Sequence, residues 1–203
     1  MQRTENHTEV TLQWFASKQA IAQCLWLFGH GVSLNCLVGC TIRELLCRQF
    51  GIDADYLDNR IQTIFLNGKA ADDVDKTRIA PNSVLALSAA MPGLAGATLR
   101  KGGHLSAMRS RISHTPASDS YCMTQGRITL KLFNLVQNEL GPMFLAAGVG
   151  IPAAVFTSFA ASFIETMGEP ATQVKSNADP VRPEQLESIT ARAKTVFLSL
   201  SEP

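Results

Sequence analysis

The sequence lacks several signals that would point to common functional classes. It contains no CxxC pair, so a zinc site built from two cysteine knuckles has no candidate ligands. It also contains no Gly-rich phosphate loop, no G-x-S-x-G and no HExxH. Its 18 basic and 17 acidic residues nearly balance, which gives no global reason to expect nucleic acid or an anionic membrane as partner. We therefore expect neither a metal nor a cofactor, and we favour a non-enzymatic role.

The cysteines and the N-terminus indicate the compartment. Five cysteines are present, an odd number, which does not suit a framework of disulfides. The first residues, Met1–His7, are polar and no apolar segment follows them, as a secretory signal would require. We expect free, mostly buried thiols in a reducing cytoplasm.

One uncharged stretch is long enough to cross a bilayer. Residues Leu140–Ile164 carry no charge. Glycines and prolines interrupt the stretch, and many of its other residues are only Ala, Ser or Thr. We therefore expect two buried helices with a Gly-rich break between them, and no membrane partner.

The most informative stretch is Thr41–Met91. Thr41 and Glu44 have the spacing of a capping box, which predicts a helix start, and Gly51 predicts its end. Strands are predicted at 61–66 and 83–88, and Asn67-Gly68 suits a type I′ turn after the first of them.

The flanking segments show weaker patterns. Val10–Ala16 alternates as a strand does, and Ile21–Phe28 with Val32–Val38 predicts a β-hairpin, although the first run also fits a short buried helix. Apolar residues recur at helical spacing from Arg127, and further helices are predicted from Pro152 and from Pro183, the last reaching Phe197.

The order hairpin, helix, strand, turn, loop, strand resembles the ubiquitin-like β-grasp superfamily. The residues that carry the resemblance are Thr41–Leu46, Ile64–Lys69 with Asp72-Asp73, and Pro81–Leu87. They look most like the bacterial sulfur carriers, namely the small subunit of molybdopterin synthase and the thiamine sulfur carrier. The resemblance implies an α+β fold with a β-grasp domain over residues 8–91. A basic Gly/Ser-rich linker (92–126) and a helical C-terminal region (127–203) would follow.

The resemblance also implies a role for a diglycine. Carriers of this family work through a free C-terminal Gly-Gly, and here Gly102-Gly103 follows the last predicted strand with about a hundred residues after it. Carrier or modifier chemistry would require cleavage after Gly103. The alternative is that the two glycines form an ordinary flexible turn.

Two further sets of residues are candidate sites. Cys40 precedes a predicted helix N-terminus, a position that lowers a thiol pKa, and with His104 it is the candidate pair for an enzymatic site. The cluster Arg100, Lys101, Arg109 and Arg111 has no acid within it and is the candidate for binding phosphate or RNA. No aromatic residue interleaves it, so stacking recognition of nucleic acid has no platform and is disfavoured.

The leading hypothesis is a cytoplasmic protein-interaction module. The exposed face of the β-grasp sheet would bind a protein partner, and the C-terminal helices would cover part of the sheet or form a homo-oligomer contact. The rival hypotheses are a sulfur carrier or modifier precursor cut after Gly103, an anion or RNA binder, and an enzyme with Cys40 and His104 in its site.

Overall fold

The structure is a computed structural model and belongs to the α+β class. The residues that it describes are 9–90, 93–103, 122–167, 173–176 and 179–202. The strands are β1 Glu9–Phe15, β2 Val32–Val38, β3 Thr63–Leu66, β4 Lys69–Ala70, β5 Val84–Ser88, β6 Thr124–Phe133, β7 Val149–Pro152, β8 Gln173–Ser176, β9 Asp179–Val181 and β10 Thr195–Ser201. The helices are α1 Lys18–Gln23, α2 Leu27–His30, α3 Gly93–Leu99, α4 Asn134–Ala147, α5 Ala153–Met167 and α6 Leu186–Thr190. Shorter turns are the π-helical segments Glu44–Gln49 and Tyr56–Arg60 and a 3-10 turn at Pro183–Gln185.

Contacts between residues divide the chain into two compact units. The central unit is Phe28–Glu139, and the terminal unit combines Met1–Leu27 with Leu140–Pro203. These limits differ from the boundaries 8–91, 92–126 and 127–203 suggested by the sequence, because the first strand groups with the last part of the chain.

The central unit is built on a sheet in the order β4-β3-β5-β6-β2. β3 is antiparallel to β4 and to β5, β5 is parallel to β6, and β6 is antiparallel to β2. Aliphatic side chains alternate along these strands and are buried on one face, as the period of two requires. The buried residues of that face include Leu34, Leu66, Leu85, Ile128 and Leu130.

Local signals in the central unit are confirmed. The backbone N–H of Glu44 donates to the hydroxyl of Thr41 (3.2 Å), and the backbone N–H of Thr41 donates to the Glu44 carboxylate (2.9 Å), which completes the capping box. Asn67 and Gly68 both have positive φ, 51° and 77°, as a type I′ turn requires. The helix after Thr41 is wider than predicted, since Phe50 N–H bonds to the carbonyl of Leu45 five residues earlier.

The strands of the terminal unit lie side by side in the order β7-β10-β1-β8-β9. β1 lies parallel to β10, and it lies antiparallel to β8 on its other side. Trp14 of β1 is fully buried against three aromatic rings of α5. The predicted strand at Val10–Ala16 and the predicted helix after Pro152 are therefore confirmed.

The predicted hairpin of Ile21–Phe28 with Val32–Val38 is wrong. The first run is helical, because the Ser17 hydroxyl accepts from Ala20 N–H and starts α1, and buried residues follow at helical spacing. The antiparallel partner of β2 is instead β6, which comes much later in the chain.

The region after residue 126 is not purely helical, which corrects the predicted helical C-terminal region. The helix predicted from Arg127 is strand β6, whose residues Ile128, Leu130 and Leu132 are buried in strict alternation. The last predicted helix ends at Thr190, and Val196 and Phe197 belong to strand β10. In both places a period of two was read as a helical period.

Among the described residues, no helix combines the length and the apolar character needed to cross a membrane.

Candidate functional site

The side of the central sheet opposite its buried face is a candidate binding surface, and we call it the open face. Residues directly opposite each other on neighbouring strands share a face of the sheet. Ser33 and Val84 both lie opposite Thr129, and Ala86 lies opposite Lys131 and Phe65. Thr63, Ala70 and Ser88 also lie on this side by their register but are buried, so the open face is defined by its exposed members. These are Ser33, Asn35, Phe65, Val84, Ala86, Arg127, Thr129, Lys131 and Phe133.

The charge of the open face is of one sign. The five strands of the central sheet contain no Asp or Glu, and the open face carries Arg127 and Lys131. Arg127 is oriented by Asn35, whose amide oxygen accepts from its Nε at 3.0 Å. The acidic residues of this unit lie in the connections, including Asp53, Asp55, Asp58, Asp72, Asp73 and Asp75. The described acids of this unit are therefore kept off the open face, where the only formal charges are positive.

Two features shape this surface around Lys131. Gly31 has φ of +105°, and a Cβ there would come within 3.1 Å of Cε and 3.4 Å of Cγ of Lys131. The stem of Lys131 therefore lies directly over the glycine backbone, which positions the chain of the lysine along the sheet. At the end of the same strand, Phe133 keeps 39% of its surface exposed. The open face thus offers a placed cation beside an accessible aromatic ring.

Cys40 is not the activated thiol that its position predicted. The side chain is fully buried. Its thiol donates to the backbone carbonyl of Leu37 at 3.2 Å and accepts from Nε2 of Gln49 at 3.2 Å. Burial raises the pKa of the Cys40 thiol, and this effect outweighs the hydrogen bonds that favour the thiolate. Its predicted partner His104 lies outside the described residues.

The diglycine and Lys101 lie at the end of helix α3 in a hydrogen-bonded turn. The backbone N–H of Lys101 donates to the carbonyl of Gln62 (2.6 Å), and that of Gly102 donates to the Asp72 carboxylate (3.0 Å). Gly102 has φ of +62°, and Gly103 N–H returns to the carbonyl of Arg100 at 3.1 Å. The turn alternative accounts for this geometry, while cleavage after Gly103 stays a prediction that intact mass spectrometry tests.

The basic cluster is only partly described. The ammonium of Lys101 donates to the backbone carbonyl of Leu57 at 2.8 Å, and burial lowers the pKa of this lysine. Arg100 is exposed, and Arg109 and Arg111 lie outside the described residues. In the described part of the cluster, the cation of Lys101 therefore binds the protein backbone.

Two ion-pair networks were missed by sequence reasoning. Arg43 binds Asp58 (2.9 Å) and Asp75 (2.6 Å), and so joins two acidic segments. Glu139 accepts from both Arg60 and Tyr56, the latter at 2.6 Å. Hydrogen bonds from Arg60, and secondarily from Tyr56, lower the pKa of Glu139 to about 2. No local pattern could reveal these pairs, because their partners are 15 to 83 residues apart.

Within the described part of the chain, no group of three or more His, Cys, Asp or Glu side chains is placed to hold a metal ion. Several of these carboxylates instead form ion pairs with Arg43 and Arg60.

Arg127 and Lys131 were also missed as site residues, because their segment was predicted to be a helix. A signal was present: Ile128, Leu130 and Leu132 alternate with them, which places both cations on the side of a strand opposite the core. Comparison with family models, with curated proteins and with solved structures gives no match to this chain.

Proposed function

We propose that the central unit is a protein-interaction module of the ubiquitin-like β-grasp type that binds a partner through its open face. The observation that carries the proposal is the acid-free sheet face with Lys131 and Arg127 beside Phe65, Val84 and Phe133. A surface that combines placed cations with accessible apolar groups suits a partner that offers carboxylates next to apolar side chains.

The strand pairing supports the β-grasp assignment in a permuted form. The resemblance implies a hairpin whose second strand is followed by a helix, a strand, a turn, a loop and a last strand. β2, the capped helical segment after Thr41, β3 with its turn, and β5 keep this order. The first strand of the hairpin is replaced by β6, which is antiparallel to β2 and comes after β5 in the chain.

The size of the open face favours a short segment over a globular partner. Four strands at a spacing of about 4.8 Å give a width of about 14 Å, and the stretch from Arg127 to Phe133 gives a length of about 20 Å. The resulting area of about 300 Å² is well below the roughly 800 Å² that each side contributes to a standard interface. Arg127 and Lys131 are about 13 Å apart along β6. An extended partner segment with two acidic residues four positions apart matches this spacing.

A photo-crosslinking residue at position 86 tests the proposal. We expect the full chain with a benzoyl-phenylalanine in place of Ala86, expressed in its source cells, to form one discrete adduct. The same substitution of Ala97, an exposed residue of α3, is the matched control and should form none. The adduct should be lost in a second variant, Lys131→Glu, and kept in Lys69→Glu, since Lys69 lies at the β3–β4 turn. Equal adducts from both positions would contradict the proposal.

A further inference from the structure

The terminal unit contains a pocket that is separate from the open face. It lies between helix α5 and the segment from the 3-10 turn to α6, and its volume is about 200 Å³. Its buried lining consists of Phe156, Ala160, Leu186 and Thr190. An engineered apolar cavity of about 150 Å³ is enough to hold benzene, so this pocket has room for a six-carbon group.

The interior of the pocket is apolar although two threonines line it. The hydroxyl of Thr190 donates to the carbonyl of Leu186 at 2.8 Å, and that of Thr157 donates to the carbonyl of Ala153 at 3.0 Å. Both hydroxyl protons are therefore hydrogen-bonded to backbone carbonyls one helical turn earlier in the chain. What remains for a ligand is mainly hydrocarbon, from Phe156, Ile164 and the alanines.

The polar part of the pocket is acidic. Glu184 and Glu187 belong to its lining and are both exposed, while the described residues of the lining include no Lys or Arg. An apolar interior with two carboxylates at its solvent side is complementary to a molecule that has a hydrocarbon chain and a cationic end. A neutral alcohol would gain the apolar contacts and a hydrogen bond to one carboxylate, but no ion pair. A ligand with a carboxylate end would meet repulsion from both glutamates.

We infer that this pocket binds an aliphatic ammonium group, with the alkyl chain against Phe156 and Ala160 and the cation near Glu184 and Glu187. The ammonium can come from a free alkylamine or from a lysine side chain of another protein, and the chemistry recognised is the same.

Three six-carbon probes with different end groups test the inference. Hexylammonium, hexanol and hexanoate are titrated into the full ¹⁵N-labelled chain at neutral pH, with amide shifts as the readout. We expect hexylammonium to bind about fivefold tighter than hexanol, the upper range for an exposed ion pair, and hexanoate to bind more weakly than both. The shifts should fall on α5 and on residues 184–190. Nα-acetyl-lysine methylamide is the fourth probe: tighter binding than hexylammonium indicates a protein side chain as the source, and weaker binding indicates a free amine.

Variants separate the apolar and the acidic parts of the site. Ala161→Leu, at an exposed wall position, should fill the space and abolish binding of all probes. The double variant Glu184→Gln, Glu187→Gln should keep the affinity for hexanol and lose the preference for hexylammonium. Glu202→Gln, an exposed acid of the same unit that does not line the pocket, is the matched control and should behave as the parent. Equal affinities for hexylammonium and hexanol in the parent chain, or unchanged binding in Ala161→Leu, would overturn the inference.

Discussion

The two units are stabilised in different ways. In the terminal unit, the ring of Trp14 lies 4.9 Å from that of Phe163 in an edge-on arrangement, with Phe156 and Phe159 also in contact range. In the central unit, the interior is mainly aliphatic and long-range ion pairs through Arg43 and Arg60 join its surface segments. Buried aromatic contact depends on side-chain shape, whereas exposed ion pairs depend on salt and pH. We therefore expect the terminal unit to be sensitive to the loss of an aromatic ring, and the central unit to be sensitive to salt and pH.

The largest effect should come from the aromatic cluster. Trp14→Ala removes the central ring and leaves a cavity, and we expect a loss of about 3–5 kcal/mol in the free energy of unfolding. Urea unfolding followed by far-UV circular dichroism measures it. Trp26→Ala is the control, because Trp26 is 42% exposed and should cost much less. A loss below about 1 kcal/mol for Trp14→Ala would show that the cluster does not hold the unit together.

Trp14→Phe is a second variant at this position and separates ring contact from side-chain loss. Nε1 of Trp14 is buried and has no hydrogen-bond partner among the described residues. A phenylalanine keeps most of the ring contacts and removes this unsatisfied donor, so it should cost clearly less than alanine. Equal losses for the two variants would contradict a role based on ring contact.

An intermediate effect is expected at Arg43. Arg43→Ala removes the cation shared by Asp58 and Asp75, and we expect a loss of about 0.5–1 kcal/mol in low salt, because the three side chains are partly exposed. The loss should shrink in 1 M NaCl, where exposed charges are screened. Arg48→Ala is the control, since its side chain is 80% exposed and its pair with Glu44 is longer. A loss that does not change with salt would indicate packing by the arginine stem instead.

The smallest effect concerns pH. The pKa of Glu139 is lowered to about 2 in the folded chain, below the ordinary value of about 4.3. A depressed folded pKa contributes stability above the unfolded value, and this contribution is lost as pH falls from about 4.3 towards 2. Glu139→Gln should therefore lower stability at pH 6 and match the parent near pH 2. Urea midpoints across this range measure it, with Glu202→Gln as control; a constant difference between parent and Glu139→Gln would contradict the linkage.

Short-range features of the fold could be predicted from the sequence. The capping box at Thr41 and Glu44 and the turn at Asn67-Gly68 are decided by residues within three positions of each other, and both are confirmed. Strand β6 was missed because Leu130 and Phe133 also satisfy a helical spacing. Only the pairing of this segment with β2 and β5 decides between strand and helix.

The candidate sites depended even more on distant contacts. Burial of Cys40 reverses the pKa direction that its place before a helix predicted. The open face exists only once β6 lies between β5 and β2, which are separated from it by more than thirty residues of chain. The pocket beside α5 requires residues near 160 and near 187 to meet. The local sequence patterns of these two segments do not indicate that they are in contact.

The pairing of β1 with β10 has a consequence for biosynthesis. β1 is synthesised before the central unit, and the strand that lies parallel to it is synthesised after the central unit. All residues of the central unit emerge between these two events. The central unit can therefore fold while the chain is still growing, whereas β1 waits with unpaired backbone groups and a tryptophan that has no ring to contact. During that interval the apolar side chains and free backbone groups of β1 are open to contacts with other chains, which binding of a chaperone would prevent.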